Sequence, residues 1–232
     1  MNGFDNDAKE NSQELKSEEG FGFQYDENAK TSESGVDLDP REKAVAALTK
    51  RRSYIVGVAT SGMFIALMII SAYINIPIGP ISITMQFLVA NICSLMLGKK
   101  WGTISLVLYL ALGLLGLPIF SAGGGFSYVL KPSFGFIIGF AIGGFFGAWF
   151  REKTGKTTFK VYMLASLINL IIVDIFGTIY GAAIMYGYSH SEMGVWAFFM
   201  AFLIPFIPVD LVKCIVGSII CNKLVPKVKR LF

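Results

Sequence analysis

The sequence predicts an all-α membrane protein of six transmembrane helices, with both its N and C termini cytoplasmic. Three observations predict it. Apolar residues make up 54% of the 232 and charged residues only 16%, against roughly 25% charged in an ordinary soluble domain. Six apolar stretches approach the roughly 20 residues that a helix needs to cross a bilayer core. Lysine and arginine crowd every second loop, as they do on the cytoplasmic side of a membrane.

Residues 1–45 read as an acidic, disordered cytoplasmic tail and 46–232 as the membrane domain. The first 40 residues carry eleven Asp or Glu against three Lys, a net of −8, whereas the remainder nets +12. The tail has few β-branched residues, no apolar periodicity and much Ser, Asn and Gly. It buries too little surface to offset its ordering entropy and is expected to stay a solvated leader. It also lacks the basic start, apolar core and small-residue cleavage site of a secretory signal.

The expected spans are Tyr54–Ile76, Ser82–Gly98, Thr103–Leu117, Phe134–Phe150, Val161–Tyr186 and Val209–Leu224. Arg41, Lys43, Lys50, Arg51 and Arg52 precede the first, and Lys99 and Lys100 follow the second. Arg151, Lys153, Lys156 and Lys160 follow the fourth, and Lys223, Lys227, Lys229 and Arg230 close the chain. The alternate loops hold Lys131 and no other Lys or Arg, so both ends are placed inside. The apolar run Gly194–Ile204 is too short to span before Pro205 and Pro208, and is expected as an outer interfacial or re-entrant helix packed against protein.

In the fourth span Gly135, Gly139, Gly143 and Gly147 recur every four residues. They share one helix face, where a neighbouring backbone can approach closely. Packing within the chain and docking of another membrane subunit are both open readings of that stripe. The first span carries a weaker version in Gly62 and Ala66.

An ionisable residue inside a span is a functional hypothesis by default, and Asp174, Asp210 and Lys213 qualify. Asp210 and Lys213 stand three apart and share a helix face. A self-satisfied ion pair that pins the helix is one reading. The other is a ligand site, in which the lysine neutralises a carboxylate and the aspartate accepts from amide-like N–H groups. Gly123, Gly124 and Gly125, with flanking aromatics, form an outer loop able to close over such a site. Asp174 stays unassigned: it lines the cavity, relays protons, or bonds Asn91, Tyr109 or another buried polar group.

Other features exclude function classes. Cys93, Cys214 and Cys221 lie in apolar segments with no metal-ligand spacing, and His190 lies in a polar turn without a nucleophile or acid patterned around it. Thr154-Gly155-Lys156-Thr157 resembles the end of a phosphate-binding loop, but Phe150 stands where its first glycine belongs. No catalytic residue, metal site, cofactor or nucleic-acid partner is expected. A proton-coupled secondary carrier of a small organic acid, using Asp174, is the alternative transport reading.

Four motifs in order carry a family resemblance: Ile76-Pro77-Ile78-Gly79-Pro80-Ile81-Ser82-Ile83-Thr84-Met85-Gln86, Leu110–Phe120, Ala122–Gly125 and Pro205–Lys213. Over about residues 55–225 the chain resembles the BioY family, the biotin-specific substrate-binding S components of energy-coupling-factor (ECF) importers. The resemblance implies an S-component-like six-helix fold in a bacterial plasma membrane that captures biotin at its outer face. It implies as partners a transmembrane coupling (T) subunit and two cytoplasmic ATPase subunits. It also implies that Asp210 and Lys213 contact biotin and that Gly62 and Ala66 dock on the coupling subunit. Gln86, Tyr109 and Gly123–Gly125 complete the expected substrate-binding set. The chain departs from the family pattern at Lys131, Phe134 and Val209, where the family often has glycine.

Overall fold

The computed structural model describes residues 39–78, 81–187 and 206–229, with isolated positions between 194 and 204. The acidic tail as far as residue 38, His190 and most of the expected interfacial helix at 194–204 lie outside the described residues. Among those described are five long helices: α1 Pro40–Tyr73, α2 Gln86–Leu114, α3 Phe134–Thr154, α4 Phe159–Gly187 and α5 Phe206–Lys229. A β-hairpin, β1 Asn75–Ile78 and β2 Ile81–Thr84, joins α1 to α2, and a 3-10 turn at Phe126–Leu130 precedes α3.

Helix α1 begins at Pro40 rather than Tyr54, so residues 40–45 form its first turns instead of tail. Asp39 caps it by accepting from the Arg41 N–H at 3.4 Å, and Pro40 occupies the first helical position, where its missing N–H is no loss. It ends at Tyr73, before the expected Ile76. There the chain turns into an antiparallel ladder pairing Asn75 with Thr84 and Ile78 with Ile81. Pro77 cannot continue a helix, and the β-branched Ile76, Ile78, Ile81, Ile83 and Thr84 suit a strand. The second helix therefore starts at Gln86, not at Ser82.

The count of five differs from the six expected because the second and third spans fall in one element, α2, broken at Gly98. Gly98 has φ 80°, which a side chain would resist. The break is held by Glu152, whose Oε1 accepts from the Lys99 N–H at 2.7 Å. It brings Gly102 back against Ser94, where a Cβ would lie 2.8 Å from the Ser94 Cα. Arg151 is buried under the turn, 3.7 Å from Glu152.

Helices α1 to α4 are long and apolar enough to cross a membrane by length and composition. Helix α5 carries Asp210, Lys213 and Lys223 and is not among them. The glycine stripe of α3 settles against α4. A Cβ on Gly139 would lie 3.0 Å from the Val173 Cα, and one on Gly147 2.8 Å from the Ala165 carbonyl oxygen. The stripe thus packs inside the chain, and what it permits is backbone-to-backbone approach that lipid alone would not drive.

A sealed polar cluster ties three helices at the middle of the bundle. Asn91 of α2 donates to the Ser166 hydroxyl of α4 at 2.8 Å, and Asn169 of α4 donates to the Asn91 Oδ1 at 3.1 Å. Ser166 and Ser218 of α5 share a hydrogen bond at 3.1 Å. All four side chains are fully buried. On one side of this layer an aromatic core of Phe87, Tyr109, Phe120, Tyr128, Phe134 and Phe140 surrounds the site.

Candidate functional site

Asp210 and Lys213 occupy the first turns of α5, as their spacing requires, and both are buried. Lys213 Nζ donates to Asp210 Oδ1 at 2.6 Å and to the Thr84 carbonyl oxygen at 2.8 Å. The second bond explains the β-hairpin's position: β2 ends where its last carbonyl serves the lysine. A buried pair loses hydration on both partners, and only close geometry with further hydrogen bonds offsets that loss. Among the described residues the ammonium has two acceptors, which leaves one of its three N–H groups without one.

From Thr84 a hydrogen-bond chain runs outward. The Thr84 hydroxyl donates to Gln86 Oε1 at 3.3 Å, and Gln86 Nε2 donates to the Tyr109 hydroxyl at 2.5 Å. Tyr109 in turn donates to the Ile119 carbonyl oxygen at 2.8 Å, which anchors the loop after α2. A second hydroxyl row, Ser121 to Tyr128 at 3.2 Å and Tyr128 to Ser133 at 3.3 Å, crosses the 3-10 turn.

These groups meet at a cavity of about 50 Å³. Its polar lining is Thr84, Gln86, Ser121, Tyr128, Ser133, Asp210 and Lys213. Its apolar lining is Ile83, Phe87, Phe136, Ile137, Phe140, Val173 and Phe206. A buried apolar slot with a charge pair and hydroxyls at its walls has the make-up of a small-molecule site.

Three of the residues expected here, Asp210, Lys213 and Gln86, reach the cavity wall. Tyr109 and the three glycines lie behind it. Tyr109 orients Gln86 and the loop. Gly123 and Gly125 adopt φ 106° and 95°, and the Gly125 N–H donates to the Gly113 carbonyl oxygen at 2.8 Å. Gly124 sits so close to the Leu117 carbonyl that no side chain fits. The glycines therefore shape the turn that presents Ser121 and Tyr128. Lys131 fastens that turn by donating to the Ala122 carbonyl oxygen at 2.7 Å, with its ammonium 4.9 Å from the Tyr128 ring centre.

Asp174, half-buried on α4, lies within electrostatic reach of both Asp210 and Lys213. Asn91 and Tyr109, two partners considered for it, bond elsewhere. Gly62 and Ala66 are exposed on the outer face of α1, and a Cβ on Gly62 would meet nothing within 4 Å. Among the described residues no group of three His, Cys, Asp or Glu is placed to hold a metal ion.

The sequence reading missed Thr84, Ser121, Tyr128, Ser133 and the aromatic walls. Hydroxyl residues in loops and at span ends are common and carry no pattern. The only signal was proximity, since Ser121 and Tyr128 flank the glycine run and Ser133 opens α3.

Comparison with known proteins is consistent across sequence and structure. The model of the BioY family matches residues 42–230. A probable biotin transporter BioY of Lysinibacillus sphaericus is 35% identical over 134 residues, covering 58% of this chain and 64% of that protein, a little under two thirds of its length. The biotin transporter BioY of Thermotoga maritima is 32% identical over 165 residues, covering 71% and 92%. A crystal structure of the S-component for biotin from an ECF-type ABC transporter superposes with a TM-score of 0.64 at 28% identity, covering 81% of this chain and 94% of that one.

Proposed function

The chain belongs to the BioY family, and we propose that it takes up biotin as the membrane-embedded binding subunit of an ATP-driven importer. The observation that carries the site is the Asp210–Lys213 pair, bonded to the β2 backbone and open on an apolar cavity. An ion pair that served only to pin α5 has no need of a cavity beside it. Biotin carries a carboxylate and a cyclic urea. The spare Lys213 N–H, the Asp210 carboxylate and the Gln86 amide match those groups, and Phe87, Phe136 and Phe140 match its apolar ring and chain.

The cavity of about 50 Å³ is far below the roughly 300–1,000 Å³ of ordinary small-molecule sites. Biotin therefore enters when the walls part. Among the described residues, the parts of the wall outside the long helices are β2 and the loop at 118–133, both on the side of the bundle where α5 begins, and parting them needs no helix to break.

Counting the two halves of α2 separately gives six spans, and the close approach of Gly102 to Ser94 supports that count. With six spans and the basic loops inside, both termini are cytoplasmic and the site opens outward. The membrane is a bacterial plasma membrane in this reading. The exposed Gly62–Ala66 face of α1 supports docking on a transmembrane coupling subunit, which works with two cytoplasmic ATPases. The chain itself catalyses nothing.

The power source has a direct test. With the proton gradient collapsed and ATP kept high, biotin uptake by the full importer persists if ATP drives it. Its abolition under those conditions would favour a proton-coupled carrier using Asp174.

A further inference from the structure

Beside the first turns of α1 lies an open groove of about 540 Å³, lined by Ala47, Lys50, Arg51, Tyr54 and Lys100. It is far from the cavity, at the end of the bundle where α2 breaks at Gly98. Three cations make it positive. Tyr54, 58% exposed, gives it an aromatic wall and rests edge-on against buried Trp101 with ring centres 5.3 Å apart. A surface that is both basic and aromatic fits an acidic segment with aromatic side chains, since carboxylates meet the cations while rings leave water.

The chain carries such a segment: Glu18-Glu19-Gly20-Phe21-Gly22-Phe23-Gln24-Tyr25-Asp26-Glu27, four carboxylates bracketing three aromatic residues. We propose that this part of the chain's own N-terminal tail docks in the groove, with its carboxylates on Lys50, Arg51 and Lys100 and its rings against Tyr54. The connection reaches. The twelve residues from Glu27 to Asp39 span up to about 40 Å when extended, whereas Asp39 to Lys50 along α1 is only about 17 Å at 1.5 Å per residue. Tethering makes the encounter intramolecular, with an effective concentration on the order of millimolar. The basic loop at Lys153–Lys160 offers charge without the Tyr54 wall.

A docked tail covers the end of α1 that leads into the Gly62–Ala66 face, and so shields that end of the chain from acidic partners. This inference stands apart from the biotin site and does not depend on it.

The test is zero-length carbodiimide cross-linking of the full chain in neutral detergent, with the products mapped by mass spectrometry. The expected result is linkage of Glu18, Glu19, Asp26 or Glu27 to Lys50 and Lys100 at several times the yield to Lys156 and Lys160. That linkage should fall sharply at about 0.5 M salt, where the screening length is about 4 Å. Replacing Phe21, Phe23 and Tyr25 by alanine, which leaves every charge in place, should also reduce it severalfold. Even linkage to all basic loops, or yields indifferent to the aromatic replacements, would reduce the tail to a diffuse counter-charge and overturn the proposal. Anionic lipid retained at the groove with no tail linkage would overturn it too.

Discussion

Among the described residues two buried polar clusters invite comparison, and one of them lines a cavity. The Asn91–Ser166–Asn169–Ser218 cluster joins α2, α4 and α5, is built of neutral amides and hydroxyls, and is fully buried. The Asp210–Lys213 cluster joins α5 to β2, contains full charges, and lines a slot with one N–H unspent. Both are buried. Burial of polar groups therefore does not mark the site. Charge beside empty volume does: the neutral cluster leaves the Asn169 Oδ1 without a partner among the described residues yet has no part in the cavity wall, whereas an ammonium with a donor to spare beside a cavity gains from a ligand.

The sharpest way to break the comparison is to disturb the packing that seals the neutral cluster. Leucine at Gly143 would place its Cβ 2.5 Å from Asn169 Oδ1 and 2.7 Å from the Asn169 carbonyl oxygen. Gly143→Leu is expected to cost more than about 3 kcal/mol, at the severe end for overpacking. Thermal unfolding in detergent should show little or no folded protein, and a melting profile like that of the unaltered chain would mean that α3 and α4 do not approach as described.

A milder cut is Asn91→Ala, which removes one hydrogen-bond partner each from Ser166, left with Ser218, and Asn169 and should cost about 1–3 kcal/mol of stability. Its biotin affinity, measured on the protein that remains folded, should stay within a factor of two. A large loss of affinity with normal stability would place Asn91 in the ligand site and collapse the distinction. The smallest effect is expected at the rim. Ser133→Ala removes one of three hydroxyls in the row over the cavity and should weaken binding by about 0.5–1.5 kcal/mol, less than or near tenfold, with no change in melting.

The same contrast explains how much was legible in the sequence. Charges in apolar segments are rare and costly, so Asp210 and Lys213 announced themselves, and their spacing of three set them on one helix face. The four-residue glycine period was equally plain, although the partner it packs against became known only from the fold. Each expected span overlaps a helix, two of them the same one, but their ends were misplaced. Hydropathy sees lipid-facing character, and α1 runs from Pro40 well ahead of its apolar portion. The β-hairpin escaped because Ile81–Thr84 is as apolar as a helix start, and its strand form depends on Thr84 serving Lys213 across the fold. The Gly98 break coincides with the expected end of the second span, just ahead of Lys99 and Lys100, but its left-handed backbone and the Glu152 contact that holds it were visible only in the fold. Ser121, Tyr128 and Ser133 were invisible for the opposite reason: nothing about a hydroxyl in a loop distinguishes it until the turn built by Gly123–Gly125 brings it to the cavity.

The most direct test of the central claim is a calorimetric titration of biotin into the Asp210→Asn/Lys213→Met double variant. Removing both charges together avoids leaving one buried and uncompensated, so the fold should persist. The account predicts unchanged melting and affinity reduced at least tenfold, about 1.4 kcal/mol. Biotin bound as tightly as by the unaltered chain would contradict it.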